Sequence, residues 1–200
     1  MQNKAYQFKI SLQGIEPFVW RRILVPADYS FWDLHVAIQD SMGWLDYHLH
    51  VFRIRKKHHH SEIEIGIPNE DRFEDETEIL PGWKIPIADY LYDIGMTFIY
   101  EYDFGDDWKH DILFEGILLR EKGQKYPKCI GGAQACPPED CGGIDGYQEL
   151  LEVISDPENE DYEEMMVWLG GKYDPSEFNP DTVKFDNSQK RWNIAFKDSL

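Results

Sequence analysis

The stretch Met96-Thr-Phe-Ile-Tyr-Glu-Tyr-Asp-Phe104-Gly-Asp-Asp-Trp108-Lys-His-Asp-Ile-Leu-Phe-Glu-Gly-Ile-Leu-Leu119 predicts a long β-hairpin. Apolar and polar residues alternate over 96–104, which is typical of a half-buried strand. The Gly105-Asp106-Asp107 segment has the residue types of a tight turn. A second strand follows from Trp108 to Leu119. This hairpin is therefore expected to lie at the centre of an antiparallel sheet.

The sequence before the hairpin predicts a ββαβ unit. Alternating residues indicate strands over 5–12, 19–25 and 48–54. The intervening helix carries an apolar stripe at helical spacing, with Ser30 and Asp33 placed for a variant capping box and Gly43 for its C-terminal end.

The sequence after the hairpin predicts a loop over 120–143 that is rich in Gly, Pro and Cys. A helix pair follows, the second helix beginning near Asp156 with Pro157 at its first position. A last short helix is capped near Asn187 or Ser188. We find no repeat or linker that divides the chain. The predicted fold is a single α+β domain, residues 1–200, with a mainly antiparallel sheet and a C-terminal helix pair.

The charge of the chain limits its function. Its 200 residues carry 38 acidic and 20 basic side chains, a formal net charge of −18. Residues 1–60 hold 8 basic and 5 acidic side chains, so the acidic excess lies in residues 61–200. Nucleic-acid binding is disfavoured despite basic clusters at 53–57 and 120–128, because such binders normally present a basic face. Cations are the ligands that the acidic part attracts most easily.

The sequence indicates a cytoplasmic protein with no membrane segment. No stretch approaches the ~18 apolar residues of a membrane span, and the N-terminus lacks the apolar region of a secretory signal. The three cysteines, an odd number, also favour a reducing compartment over a disulfide framework.

Three polar blocks could carry chemistry. His48 and His50 are two residues apart on a predicted strand, which would turn both rings to one face and toward one metal. The hairpin turn gathers Asp103, Asp106 and Asp107 near His110, although Asp-rich turns are also ordinary hairpin chemistry. The loop before the helix pair carries two acids that could be ligands or could orient the loop. The candidate polar pocket is His48, His50, Asp103, Asp106, Trp108, His110, Glu139 and Asp140.

The cysteines give a further candidate metal set. Cys129, Cys136 and Cys141 have the spacing C-x6-C-x4-C, of which only the second interval fits a structural zinc site. A histidine such as His48, His50 or His110 could complete it. The alternative is that they are small buried residues in a Gly-rich loop.

Four blocks of the sequence together resemble the plasmid pRi open-reading-frame-three-like family. The resemblance implies an α+β domain of unestablished biochemical function, found in bacteria and archaea. Some members carry a label that links them to insertion-element passenger proteins or resolvases, but this chain has no recombinase serine motif. The resemblance also favours Glu139 and Asp140 over the cysteines for any shared role. The blocks are Val19-Trp-Arg-Arg-Ile-Leu-Val-Pro26, Trp44-Leu-Asp-Tyr-His-Leu-His-Val-Phe52, Tyr100-Glu-Tyr-Asp-Phe-Gly-Asp-Asp-Trp-Lys-His110 and Ala135-Cys-Pro-Pro-Glu-Asp-Cys-Gly-Gly143.

Several functions remain open at this level. The sequence favours a non-catalytic module that binds a protein partner or a small ligand. The alternatives are a metal-dependent hydrolase or nuclease that uses the His/Asp cluster, a structural zinc-binding protein, and an accessory protein of a mobile element. A divalent metal ion is the one cofactor that these residues suggest.

Overall fold

Eight strands form one sheet in the computed structural model, which describes residues 3–55, 62–68 and 78–196. The sheet order is β5-β4-β3-β6-β7-β1-β2-β8, and every neighbouring pair is antiparallel except β4 and β5. The strands are β1 (Lys4–Leu12), β2 (Trp20–Pro26), β3 (His50–Arg55), β4 (Glu62–Gly66), β5 (Ile79–Pro81), β6 (Thr97–Tyr102), β7 (Trp108–Leu119) and β8 (Lys128–Ala133).

Four α-helices accompany the sheet within the described residues. The first packs near the last, and the middle two form a pair that contacts the sheet core through α2. The predicted α+β class, with its early ββαβ unit, central hairpin and late helix pair, is confirmed. The helices are α1 (Phe31–Met42), α2 (Gly143–Ser155), α3 (Tyr162–Trp168) and α4 (Ser188–Phe196).

The central hairpin forms because its alternating residues place one row of aromatic side chains in the core. Strand β6 pairs with β7 from Thr97 opposite Leu113 to Tyr102 opposite Trp108. Tyr100, Tyr102 and Trp108 are almost completely buried. The strand ends at Tyr102, so Phe104 lies in the turn and is 47% exposed rather than part of the buried row.

Helix α1 begins and ends where its sequence predicts. The Ser30 side chain accepts from the Asp33 amide, and the Asp33 carboxylate accepts from the Ser30 amide, so the capping box is complete. Gly43 has φ +93°, a left-handed conformation that ends the helix. Ten of its twelve residues are buried, so the helix is covered on most sides.

Two elements differ from the sequence predictions. The predicted loop 120–143 contains strand β8, whose Gly131-Gly132 backbone pairs with β2 opposite Arg22 and Arg21. Glycines weaken the apolar alternation by which strands are predicted. The second helix of the pair begins at Tyr162 rather than near Asp156, because residues 156–161 form turns capped by Asp156 and Asn159.

The polar clusters of the sequence have different surroundings. Of the basic cluster 53–57, Lys56 and Lys57 lie outside the described residues, and Arg53 pairs with Glu64 and Glu101.

Among the described residues, no helix has the length and apolar character needed to cross a membrane.

Candidate functional site

Three segments meet at one end of the sheet. They are the loop 44–49 before β3, the turn 103–107 between β6 and β7, and the loop 136–142 before α2. Hydrogen bonds join each segment to another: Trp44 Nε1 donates to the Pro137 carbonyl at 2.8 Å, the Asp103 amide to the Leu49 carbonyl at 2.9 Å, and the Gly142 amide to Asp106 Oδ2 at 3.2 Å.

One histidine and two carboxylates converge where these segments meet, and we call them the open cluster: His48, Asp103 and Asp140. His48 Nε2 lies 2.8 Å from Asp140 Oδ1 and 3.5 Å from Asp103 Oδ2. The Asp103 side chain is 11% exposed, that of His48 31% and that of Asp140 62%. The cluster is therefore buried at Asp103 and open to solvent at Asp140.

Backbone conformation directs the two carboxylates. Asp103 and Asp140 have φ of +56° and +58°, left-handed values that Asp tolerates better than most residues. Asp103 Oδ1 accepts from the Gly105 amide at 2.9 Å and so stabilises the turn. Its other oxygen, Oδ2, faces His48. Each oxygen of Asp103 thus has a separate role.

Glu139 positions the loop rather than joining the cluster. Its Oε2 accepts from the Leu45 amide at 2.6 Å, and its Oε1 accepts a hydrogen bond from the Tyr102 hydroxyl. Burial raises the pKa of Tyr102, and Glu139 raises it further, so the hydroxyl stays protonated and donates. The same hydroxyl accepts from the Tyr47 amide at 3.0 Å. Both carboxylate oxygens of Glu139 therefore hold segment 44–49 against 136–142.

The paired glycines allow the loop 136–142 to approach the turn. Gly143 has φ +69°, and a Cβ atom at this position would lie 2.6 Å from the Asp106 carbonyl oxygen. Only glycine fits this contact without displacement of the backbone. Asp106 also accepts from the Gly142 amide, so this predicted candidate acts in holding the loop.

The open cluster has the donor spacing of a divalent cation site. Two ligands each ~2.1 Å from one ion lie roughly 3.0–3.4 Å apart at octahedral or tetrahedral angles. The observed separations from His48 Nε2, 2.8 and 3.5 Å, lie close to both ends of that range. All three ligand atoms lie within 4.8 Å of one another. One imidazole with two carboxylates suits zinc or manganese.

The sequence prediction that His48 and His50 share a face is wrong. Strand β3 begins at His50, and His48 lies in the bend before it, so strand alternation does not relate the two rings. His50 is 1% exposed and stacks on His35 with ring centroids 3.5 Å apart. The two histidines belong to different groups of potential ligands.

His110 and Trp108 also lie in the core and not in the open cluster. His110 is fully buried, and burial lowers its pKa to about 4. Its Nδ1 lies 3.3 Å from the Tyr100 carbonyl oxygen. Trp108 is 1% exposed. These two candidates support the packing of the site and cannot reach a ligand there.

A second group of potential ligands lies deeper, and we call it the buried cluster: His35, Asp46 and His50. His35 Nε2 lies 2.7 Å from Asp46 Oδ1, and its Nδ1 lies 2.8 Å from the Tyr100 hydroxyl. Among the described residues, neither ring nitrogen of His50 has a hydrogen-bond partner. No sequence pattern predicts His35 as a site residue, although it lies in α1 four residues after Phe31 and is buried.

The cysteines do not form a metal site within the described part of the chain. All three thiols are free, and neither group of potential ligands contains one. Burial raises the pKa of Cys136 and of Cys141 to about 12 and also raises that of Cys129. Neutral thiols are poor ligands and poor nucleophiles. The predicted set of Cys129, Cys136 and Cys141 is therefore not among the groups of potential ligands that the described residues form.

The fold and site define an α+β protein in which three loops at one end of an eight-stranded sheet enclose a His/Asp cluster. The chain belongs to the family of plasmid pRiA4b ORF-3-like proteins, whose family model matches residues 4–182. All three segments of the site lie within this range.

Two relatives extend the comparison. The chain is 34% identical over 181 residues to uncharacterized protein y4hQ of Sinorhizobium fredii (strain NBRC 101917 / NGR234), covering 90% of this chain and 88% of the relative. A crystal structure described as a protein of unknown function, MM3350 from Methanosarcina mazei Go1, is similar at a TM-score of 0.83 and 41% identity. The match covers 92% of this chain and 100% of that one.

Proposed function

We propose that this protein is a ligand-binding module whose ligand is a divalent cation held by His48, Asp103 and Asp140. One observation carries the proposal: three segments distant in sequence bring three metal-type donor atoms within 4.8 Å of one another. Packing alone does not require such a convergence of polar groups. Residues 1–200 are proposed to act as one domain, supported by the packing of α4 on α1.

The charge of the open cluster supports a cation. Within the described residues, His48 is the sole ion-pair partner of Asp103 and of Asp140. Two carboxylates close to one imidazole leave negative charge that a divalent ion would neutralise. The net charge of −18 adds a long-range attraction for cations.

Calorimetric titration of the metal-free protein with Zn²⁺, Mn²⁺ and Mg²⁺ tests the proposal. We expect one site that prefers Zn²⁺ or Mn²⁺, because the imidazole is a poor ligand for Mg²⁺. Asp140→Asn and His48→Ala should each weaken binding at least about tenfold, in the range of a lost ligand or ligand-orienting group.

Asp107→Asn is the matched control. Asp107 lies in the same turn, is exposed and pairs with Lys109, but it does not belong to the open cluster. Its substitution removes one nearby carboxylate and should leave affinity within about twofold. If Asp107→Asn and Asp140→Asn weaken binding equally, general electrostatics and not a site explains the affinity.

Metal-dependent hydrolysis is a second candidate, favoured by the 62% exposure of the Asp140 side chain. An ion with three protein ligands on an open rim keeps positions for water, as catalytic sites do. The buried His50 and His110 cannot take part, so His48, Asp103 and Asp140 would carry it alone. Hydrolysis of bis-p-nitrophenyl phosphate by the metal-loaded protein, abolished in His48→Ala, would support this candidate. Hydrolysis that persists in His48→Ala would contradict it.

A cytoplasmic location is likewise a proposal. It is supported by three cysteines that form no disulfide.

A further inference from the structure

Helix α3 carries apolar residues that are exposed or only partly buried, with Met165 packed against the edge of the core. None of its seven residues, Tyr162–Trp168, is buried. Val167 is 77% exposed and Trp168 is 50% exposed. Large apolar side chains grouped on a surface are typical of a binding site.

A groove of about 430 Å³ lies between α2 and α3. Its apolar part includes Leu150, Met165 and Trp168, a combination that adapts to the shape of a partner because Met is flexible. Its polar part is entirely acidic, with no Lys, Arg or His among the described residues that line it. The four carboxylates are those of Asp140, Glu149, Asp161 and Glu164.

We propose that this groove docks a basic amphipathic peptide segment of a partner protein. Apolar side chains of such a segment would contact Met165 and Trp168, and its Lys or Arg side chains would pair with the flanking carboxylates. This is the pattern by which an amphipathic helix lies in an apolar groove with a charged border. The acidic lining selects the cationic segment.

Charge also decides between this partner and a second copy of the chain. A second copy carries the same net charge of −18, so long-range repulsion opposes the encounter of two copies. The same field attracts a basic partner and raises its association rate. The groove and the long-range field thus favour the same class of partner.

The inference goes beyond the proposed cation site and can be tested apart from it. Asp140 belongs to both places, but Glu149, Glu164 and Trp168 line the groove without belonging to the open cluster. Substitution of Trp168, which leaves the charge unchanged, should weaken peptide binding and leave Zn²⁺ titrations unchanged. Failure of one proposal therefore leaves the other measurable.

Fluorescence anisotropy with a labelled synthetic 14-residue peptide of Leu and Lys at helical spacing provides the test. Glu149→Lys/Glu164→Lys should weaken binding at least about tenfold by reversing the charge of the groove. Glu78→Lys/Asp89→Lys is the matched control, because both residues are exposed, lie outside the groove and change the net charge equally. The control should bind within about threefold of the unmodified protein.

The apolar half of the interaction has its own variant. Trp168→Ala should weaken the Leu/Lys peptide about fivefold or more, while a Ser/Lys peptide of equal charge should bind weakly to both proteins. Circular dichroism checks that each variant is folded, which the exposure of α3 leads us to expect. Equal loss in the two double variants would overturn the proposal in favour of general charge attraction. Sedimentation that shows self-association lost in Glu149→Lys/Glu164→Lys would assign the groove to a second copy instead.

Discussion

The open cluster and the buried cluster contain the same residue types in different surroundings. His48 in the open cluster faces two carboxylates, and its side chain is 31% exposed. His50 in the buried cluster stacks on His35, and neither of its ring nitrogens has a hydrogen-bond partner in the part of the chain that the structure describes. Two histidines separated by one residue thus have opposite environments.

This difference teaches that the three-dimensional environment, more than residue type, indicates what a histidine can do. Parallel rings whose centroids are 3.5 Å apart cannot both keep one ion in their planes, so the buried cluster in this arrangement favours packing over ligation. The burial of His50 and the charge of His35 hold the pKa of His50 well below its usual value. The buried cluster therefore stabilises the fold, whereas the open cluster is the proposed cation site.

The largest expected effect follows from removal of one ring of the buried cluster. His35→Ala should lower the free energy of unfolding by about 3 kcal/mol, the order of a large core truncation that also removes two buried polar contacts. The Tyr100 hydroxyl would keep the hydrogen bond that it accepts from Gln39, and Asp46 would keep its ion pair with Arg191, but both would lose the imidazole. Urea unfolding measures the change. A loss below about 1 kcal/mol would show that the buried cluster does not stabilise the fold.

A second prediction concerns the contact that builds the open cluster. Gly143→Ala should cost about 2 kcal/mol of stability, since its Cβ would meet the Asp106 carbonyl and its φ is +69°. It should also weaken Zn²⁺ binding, because the loop that carries Asp140 must move away from the turn.

Gly123→Ala separates strain from the close contact. Gly123 has φ +84°, but a Cβ atom added there would meet no atom of the described residues within 4 Å. This control should cost about 1 kcal/mol and leave Zn²⁺ binding intact. Equal effects of the two variants on thermal unfolding and on Zn²⁺ titration would contradict the role assigned to Gly143.

The third prediction concerns pH. An unfolded histidine binds a proton near pH 6.5, whereas the folded chain holds the pKa of His50 well below that value. Below pH 6.5 the unfolded state therefore binds more protons, so stability falls as pH is lowered toward the folded pKa. Each such group contributes a slope of at most about 1.4 kcal/mol per pH unit.

His50→Phe should remove one such contribution while keeping a ring against His35. His110, whose pKa is also lowered, keeps the slope above zero in this variant. Urea unfolding between pH 7 and pH 5 measures the slopes. A slope in His50→Phe equal to that of the unmodified protein would contradict the role assigned to His50.

The smallest expected effect is on the open cluster without metal. His48→Ala and Asp140→Asn should change the stability of the metal-free protein by less than about 1 kcal/mol, as exposed ion pairs generally do. With excess Zn²⁺ the unmodified protein should melt at a higher temperature, and the two variants should gain less. Differential scanning fluorimetry with and without Zn²⁺ measures this, and equal gains would argue against the cluster as the binding site.

Local sequence patterns predicted the elements that depend on local interactions. The Ser30/Asp33 capping box needs only four neighbouring residues, and the central hairpin needs only alternation and a turn. The predicted start of α3 near Asp156 is wrong because the Asp156 side chain caps a turn as well as it would cap a helix. Strand β8 was missed because its Gly131-Gly132 pair has no side chains to alternate.

The candidate site was predicted in part for the same reason. His48, Asp103 and Asp140 were named among eight candidates, but their convergence depends on long-range contacts such as Glu139 with Leu45 and with Tyr102. Spacing alone predicts that His50 and His48 share one face. In the structure β3 begins at His50, so His48 lies outside the strand and the two rings are separated. The role of His35 could not be predicted from the sequence, because its partners Asp46 and Tyr100 lie outside helix α1.

The wide separation of the three donors along the chain has a consequence for the rate of proteolysis. From His48 to Asp103 is 55 residues, and from Asp103 to Asp140 is 37. An ion bound by all three would close two long loops at once, and long closed loops restrict the unfolded chain strongly. Such an ion would be a reversible cross-link between the three segments. Its removal by a chelator would therefore be enough to hasten proteolysis of the loop before α2.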